Sequence, residues 1–303
     1  MSDIAFCAAL TCGFVGSFYL WPTERRFAFL CLKDLKKASE YGPHFLDRND
    51  SNVVRRRLVS LIIWICLNVL LLEYIWRQNE GNNNNKSVLW GSVFLHHFLY
   101  SEGTFLESIK VVLGSCLATL TLFSGVIYEN GGISWDYITW EDPILNVRSI
   151  ICPIGEELLF RATFLKLLQY RSLSLSIILS SVMFSFAHAH FLFNFVTDEY
   201  RTAISMGETE ISIQTCWWRA VKKLRVLFLC AFACGLLCGY YFTSVCRNNI
   251  LAIYLSHFLC NIIGPPELNF LRENSKTKRL RGIIAYGSGI IGWITIVSLM
   301  GNW

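Results

Sequence analysis

Residues 149–170 read SIICPIGEELLFRATFLKLLQY, an apolar stretch interrupted by the acid pair Glu156-Glu157 and by Arg161. The stretch is long enough to span a bilayer, which needs about 20 predominantly apolar residues. Two adjacent carboxylates inside such a segment are costly, so a membrane protein rarely keeps them without a use. The stretch therefore predicts a membrane helix that carries a functional site.

The composition of the whole chain also indicates a membrane protein. Of its 303 residues, 53% are hydrophobic and 16% are charged, and the mean hydropathy is +0.42. A soluble domain would carry about 25% charged residues. We therefore expect an all-α fold, a polytopic membrane helix bundle that encloses a cavity and forms a single transmembrane domain over residues 1–303.

Charge and cysteine usage argue against other classes of protein. The net charge of +5 is too weak to indicate nucleic-acid binding, and no nucleic-acid partner is expected. None of the 12 cysteines forms a CxxC pair, and most lie in apolar stretches. They are typical of small buried hydrophobic residues rather than of a disulfide framework or a zinc site.

Apolar segments predict about eight membrane spans, at 4–21, 58–76, 110–128, 149–170, 173–194, 224–244, 249–264 and 282–300. The loops 22–57, 195–223 and 265–281 are rich in Lys and Arg, so the positive-inside rule places all three in the cytosol. On this topology Glu156, His188 and His257 lie on the cytosolic side, each about 10 Å deep at 1.5 Å of rise per residue. The shared depth predicts a common site.

The acid pair itself predicts a division of labour. Pro153 is expected in the first turn of its helix, so both carboxylates would lie near a helix N-terminus, where the dipole favours them. Glu157 and Arg161 are four residues apart and can pair, whereas Glu156 lies about 140° around the helix from Arg161. Glu156 would then remain able to act on a substrate. The alternative is a purely structural ion cluster.

Two further polar pairs occur at helical spacing. Phe184 lies one turn from His188, where its ring can fix the imidazole and keep it dry. His257 and Asn261 can direct two donors at one oxygen, as an oxyanion hole requires. The simpler alternatives are a packing histidine and an interhelical hydrogen-bond pair. Glu156, His188 and His257 could also form a zinc site, which spacing does not exclude.

The order Glu-Glu-x-x-x-Arg, Phe-x-x-x-His and His-x-x-x-Asn on separate apolar segments resembles the intramembrane CAAX proteases, and in particular the eukaryotic type II CAAX prenyl endopeptidases. The stretches FSFAHAHF at 184–191 and SHFLCNIIG at 256–264 are similar to that branch. The motif-bearing resemblance covers about residues 149–266.

This resemblance implies an endopeptidase of the endoplasmic reticulum membrane, with its site facing the cytosol. It would remove the last three residues of farnesylated or geranylgeranylated CAAX proteins, such as small GTPases of the Ras type, without a metal or cofactor. Glu156 and His188 would activate water, and His257 and Asn261 would stabilise the oxyanion. Glu157, Arg161 and Phe184 would support them, and membrane lipid would surround the site.

Three other functions are alternatives to this one. A transporter or proton-coupled carrier also keeps ionisable groups within the membrane, although the segments show no obvious inverted repeat. A non-catalytic scaffold would have no need of the complete set of polar residues. A zinc-dependent intramembrane protease is the third alternative.

Overall fold

A computed structural model of the chain describes residues 3–40, 51–80, 104–133, 143–208 and 212–301. Within these ranges the secondary structure is helical and contains no strand, which confirms the predicted all-α class. The α-helices are α1 (Asp3–Ser17), α2 (Pro22–Lys33), α3 (Leu35–Glu40), α4 (Ser51–Glu80), α5 (Phe105–Leu122), α6 (Ser124–Glu129), α7 (Pro143–Glu157), α8 (Phe164–Leu167), α9 (Leu173–Ala187), α10 (Phe191–Ser205), α11 (Ile213–Tyr240), α12 (Ile250–Ile263) and α13 (Lys276–Gly301). Between or beside them lie two π-helices, Leu158–Thr163 and Tyr241–Val245, and two 3-10 helices, His188–His190 and Asn269–Arg272.

The described residues make the chain a multi-pass membrane protein. Five segments are long and apolar enough to cross a bilayer, namely Ser51–Ile75, Phe105–Leu122, Leu173–Ser205, Ile213–Val245 and Lys276–Met300. A sixth results if α1 and α2, which meet at 99°, count as one span. The predicted total of eight spans is therefore not confirmed within the described ranges.

Helix length explains the difference. The predicted span 4–21 contains a helix of 15 residues that stops at Ser17, and Pro22 starts a helix in a new direction. The predicted span 149–170 is divided among α7, a π-helix and α8. The expected short segment at 249–264 is present as α12, with 14 residues.

The described residues group into two compact units, which we describe separately. Unit 1 comprises residues 1–66 and 163–237, and unit 2 comprises residues 67–162 and 238–303. That the whole chain acts as one transmembrane domain stays a prediction.

Unit 1 contains an apolar core formed by α2, α3, α10 and the start of α11. Its buried members are Phe27, Cys31, Leu35, Ala38, Val196, Cys216 and Ala220. The side chain of Asp34 accepts a hydrogen bond from the Lys37 amide at 3.1 Å and so caps the start of α3. Because the Lys37 amide and ammonium both contact this exposed carboxylate, the pKa of Asp34 lies below its usual value.

Both ends of α12, in unit 2, are fixed by local residues. The buried side chain of Asn249 caps α12 by accepting from the Ala252 amide at 2.9 Å. The helix ends at Ile263, and Gly264 follows it with a φ of 83°, which favours glycine, before Pro265-Pro266.

The segment after α12 is fastened by Glu129 at the end of α6. The Glu129 carboxylate accepts hydrogen bonds from the Phe270 amide at 3.1 Å and from the Tyr286 hydroxyl at 2.6 Å. One side chain thereby ties α6 to the 3-10 helix and to α13. The ring of Tyr286 also packs against Gly125, where a side chain would not fit.

Candidate active site

The acid pair lies at the end of a helix rather than at its start. Helix α7 begins at Pro143, so Pro153 is inside the helix, and Glu156 and Glu157 are its last two residues. The expectation that a helix N-terminus favours the two carboxylates is therefore wrong. Proline removes one backbone donor in a helix interior, and α7 ends soon afterwards in the π-helix Leu158–Thr163. Such π-turns often occur at functional sites.

Glu157 and Arg161 form the predicted pair. Nε of Arg161 lies 3.2 Å from Oε2 of Glu157, and their side chains are 1% and 0% exposed. The contact is ionic and lacks the alignment of a hydrogen bond. Because Arg161 belongs to the π-helix, the angle derived from a regular α-helix does not apply to it. The pairing rests on proximity in the folded chain.

His257 from α12 lies between the two carboxylates of α7. Its Nδ1 is 2.5 Å from Oε1 of Glu157, and its Nε2 is 3.6 Å from Oε2 of Glu156. The imidazole is 5% exposed, so this contact is buried. Oε1 of Glu157 accepts from Nδ1–H, and that bond leaves Nε2 directed at Glu156. The spacing of residues in the sequence did not predict this contact between His257 and the acid pair.

The two acids differ in their surroundings. The side chain of Glu157 has no exposed surface, whereas that of Glu156 is 23% exposed. Glu157 is bound by both Arg161 and His257, while the ionic contact of Glu156 within the described residues is the longer one to His257. The structure therefore supports a division between a fixed carboxylate and an accessible one.

Asn261 lies one turn after His257 on α12. It is half-buried, and its side chain makes no hydrogen bond within the described part of the chain. Its amide therefore remains able to donate to a bound group. Both residues belong to unit 2, together with Glu156, Glu157 and Arg161.

His188 and Phe184 belong to unit 1. Their ring centroids are 4.8 Å apart at an interplanar angle of 74°, as expected for an edge-to-face pair one helical turn apart. Nδ1 of His188 donates to the carbonyl oxygen of Phe184 at 2.8 Å, so the neutral ring carries its lone pair on Nε2. Phe191 stacks on the imidazole with a centroid distance of 6.0 Å. The local contacts thus fix the ring and leave Nε2 able to accept a proton.

Metal ligation was left open by the sequence. Across the described ranges, no three His, Cys, Asp or Glu side chains form a group that could hold a metal ion.

Two further ion pairs with buried glutamates were not predicted from the sequence. Glu24 is 1% exposed and meets Nε of Arg56 at 2.9 Å in unit 1. Glu73 is 1% exposed and meets Nη2 of Arg77, four residues on, at 2.9 Å. Glu73 lies in the apolar segment Ser51–Ile75. Since an acid within an apolar segment usually has a partner, its position in the sequence could have predicted this ion pair.

These observations define the class of the protein. It is a multi-pass helical membrane protein in which a histidine lies between a buried glutamate, paired with an arginine, and a more accessible one. Comparison with known proteins gives a more specific class. Residues 140–263 match the family described as "Type II CAAX prenyl endopeptidase Rce1-like", and all three motifs fall within this region. The chain is also 23% identical to CAAX prenyl protease 2 of Homo sapiens over 304 residues, which cover 94% of this chain and 77% of the human protein.

No solved structure matches the chain. The family match and the human relative confirm the resemblance to type II CAAX prenyl endopeptidases that the motifs indicated. They support CAAX prenyl protease function, and hence a membrane-embedded hydrolase.

Proposed function

We propose that the chain is an intramembrane endopeptidase that removes the C-terminal aaX tripeptide from farnesylated or geranylgeranylated CAAX proteins. The observation that carries the proposal is the His257 imidazole between Glu156 and Glu157, within the region that matches the family. A buried acid–histidine cluster next to an accessible carboxylate is suited to water activation.

In the proposed reaction, Glu156 and His188 activate the attacking water. The 23% exposure of Glu156 gives water access to a carboxylate that no arginine neutralises in the described contacts. Nε2 of His188, which carries the lone pair of the neutral ring, supplies a second acceptor. The water oxygen attacks the scissile carbonyl carbon while Glu156 takes the proton. Collapse of the tetrahedral intermediate returns this proton to the nitrogen of the departing tripeptide, which leaves as a free amine.

His257 and Asn261 are proposed to stabilise the oxyanion. Because Nδ1–H is donated to Glu157, the ring can donate from Nε2 only when it carries both protons. With a protonated ring, the cluster has two negative charges on Glu156 and Glu157 and two positive charges on Arg161 and His257. Nε2–H and the Asn261 amide, one helical turn away, would then donate to the same oxygen.

The proposed substrates are prenylated tails of proteins such as Ras-type small GTPases, and the proposed location is the endoplasmic reticulum membrane. A prenyl chain partitions into the bilayer, so a site within the membrane meets both the lipid anchor and the peptide. The basic segments that the positive-inside rule places in the cytosol support a site that faces the cytosolic leaflet.

The proposal is tested with the purified full chain and a synthetic peptide ending in a farnesylated cysteine and three further residues. Mass spectrometry should detect the free tripeptide with wild-type protein and the farnesylated peptide. It should detect no tripeptide with the Glu156→Gln variant, and none when the peptide is unprenylated. Absence of tripeptide release by a folded wild-type protein, over a panel of tails and both prenyl groups, would refute the proposal. Elemental analysis of the active enzyme should find no stoichiometric zinc, and its presence would instead support a metalloprotease.

A further inference from the structure

The N-terminal part of α11 extends beyond the length that a bilayer requires. The apolar segment Ile213–Val245 contains 33 residues, about 50 Å at 1.5 Å of rise per residue, whereas the hydrocarbon core is about 30 Å thick. Residues 226–245 carry no charged side chain and account for about 30 Å on their own. Residues 213–225 therefore lie at the level of the lipid headgroups and beyond.

This extension is basic. It carries Arg219, Lys222, Lys223 and Arg225 and no acidic residue. Lys223 pairs with Glu199, whereas Arg219, Lys222 and Arg225 are exposed and have no ionic partner within the described residues. Uncompensated cations at headgroup depth attract anionic lipids.

One face of α11 passes from polar to apolar along its axis. Trp218, Lys222, Arg225 and Leu229 follow each other at spacings of four, three and four residues, so they share one face of the helix. Trp218 is 61% exposed and Leu229 is 63% exposed. The opposite face, with Cys216 and Ala220, packs into the core of unit 1. From its outer end inward the face is aromatic, then cationic, then apolar. This order matches the polar headgroup, the phosphate and the acyl chains of a phospholipid.

A cavity lies at the outer end of this face. It has a volume of about 440 Å³ and is lined by Gln214, Thr215, Trp217, Trp218 and Val221. Nζ of Lys222 is 5.3 Å from the centroid of the Trp218 ring, within the range of a cation–π contact. Trp218 lies about 10 Å along the helix from Arg225, so the cavity is at the outer edge of the headgroup layer.

We propose that this face of α11, Trp218-Lys222-Arg225-Leu229 with the adjoining cavity, is a binding site for one anionic phospholipid. Lys222 and Arg225 contact the lipid phosphate, the polar headgroup reaches Gln214 and Thr215 at the cavity beside Trp218, and the acyl chains lie along Leu229. A peripheral acidic protein fits the site less well, because its surface would not continue into the apolar part of the helix. The proposal does not depend on the protease function.

The test is thermal unfolding of the purified full chain in neutral detergent with short-chain lipids. Dioctanoyl phosphatidylserine should raise the unfolding temperature in a saturable way, whereas dioctanoyl phosphatidylcholine, glycerophosphoserine and inorganic phosphate should not. In the Lys222→Gln/Arg225→Gln variant, the phosphatidylserine concentration at half-saturation should rise by at least roughly tenfold, because two cations near the phosphate are lost.

A matched control removes the same charge elsewhere. Lys276→Gln/Arg281→Gln changes two exposed cations at the start of α13 and should retain the wild-type response. An equal loss in both double variants would overturn the proposal in favour of general electrostatic attraction. If phosphatidylcholine raised the unfolding temperature as much as phosphatidylserine, binding would rest on apolar contacts alone. If inorganic phosphate or glycerophosphoserine raised it as much, the acyl chains would not be needed for binding. Either result contradicts the proposal.

Discussion

Nδ1 of His257 lies 2.5 Å from Oε1 of Glu157, although the two residues are 100 positions apart in sequence. The bond joins α12 to the last residue of α7 and fixes which ring nitrogen remains for other contacts. Because Arg161 holds the same carboxylate from its other side, Glu157 acts as the anchor of the cluster. The accessible acid is then Glu156.

Replacement of Glu156 by glutamine should remove activity without removing stability. The amide keeps the shape of the side chain but cannot take a proton from water, and loss of a general base lowers turnover by about 10²–10⁴-fold. The measurement is tripeptide release per enzyme, with the unfolding temperature as a check on folding. Glu267→Gln, an exposed acid on the segment after α12, is the control and should be fully active. Near wild-type turnover by Glu156→Gln would exclude the assigned role.

Replacement of Glu157 by glutamine should lower both activity and stability. The change leaves a buried arginine without its carboxylate, which costs about 3–5 kcal/mol. The unfolding temperature of Glu157→Gln should therefore fall well below that of Glu156→Gln. The double variant Glu157→Gln/Arg161→Gln should recover part of the loss, because no unpaired charge remains. If the two single glutamate variants were equally stable, the anchor assigned to Glu157 would be wrong.

The two neighbouring histidines of unit 1 should differ in their effect on catalysis. His188→Ala removes the ring whose Nε2 carries the lone pair proposed to accept a proton, and it should abolish tripeptide release. His190→Ala removes a ring whose Nδ1 donates to the Ala187 carbonyl oxygen at 2.7 Å and should retain most activity. Both variants are compared at equal amounts of folded protein. Loss of activity in both, or in neither, would argue against a specific role for His188.

Asn261→Ala should lower kcat much more than it changes KM. Removal of one oxyanion donor costs about 10²–10³-fold in turnover, because the bond is strongest in the transition state. Steady-state kinetics with a farnesylated peptide separate the two constants. Asn274→Ala, an exposed asparagine before α13, serves as control. A rise in KM with unchanged kcat would assign Asn261 to substrate binding instead.

Gly125→Ala should destabilise unit 2. An added methyl group overlaps the ring of Tyr286, which is also held by Glu129, so the ring cannot move away freely. Overpacking of this kind costs about 1–3 kcal/mol. Gly287→Ala, in α13 with open space around its Cβ, is the matched control and should be neutral or stabilising by up to about 1 kcal/mol. Thermal unfolding compares the two, and equal stability would contradict the close contact.

The sequence by itself determined the helical membrane class, and it singled out the residues that we propose to carry the chemistry. Composition identified a membrane protein because the bilayer tolerates few charges, and the same cost made Glu156, Glu157 and Arg161 conspicuous. Spacing of four residues correctly paired Phe184 with His188, because contacts one turn apart depend on helix geometry. It also paired Glu157 with Arg161, although Arg161 lies in a π-helix and the contact rests on proximity in the folded chain.

Only the tertiary structure decided where helices stop and which segments meet. The position of Pro153 inside α7, the π-helix after Glu157 and the turn between α1 and α2 arise from packing that a hydropathy pattern does not contain. The bond from His257 to Glu157 likewise depends on how α12 packs against α7. Local spacing predicts partners within one helix, whereas contacts between distant segments are fixed by the fold.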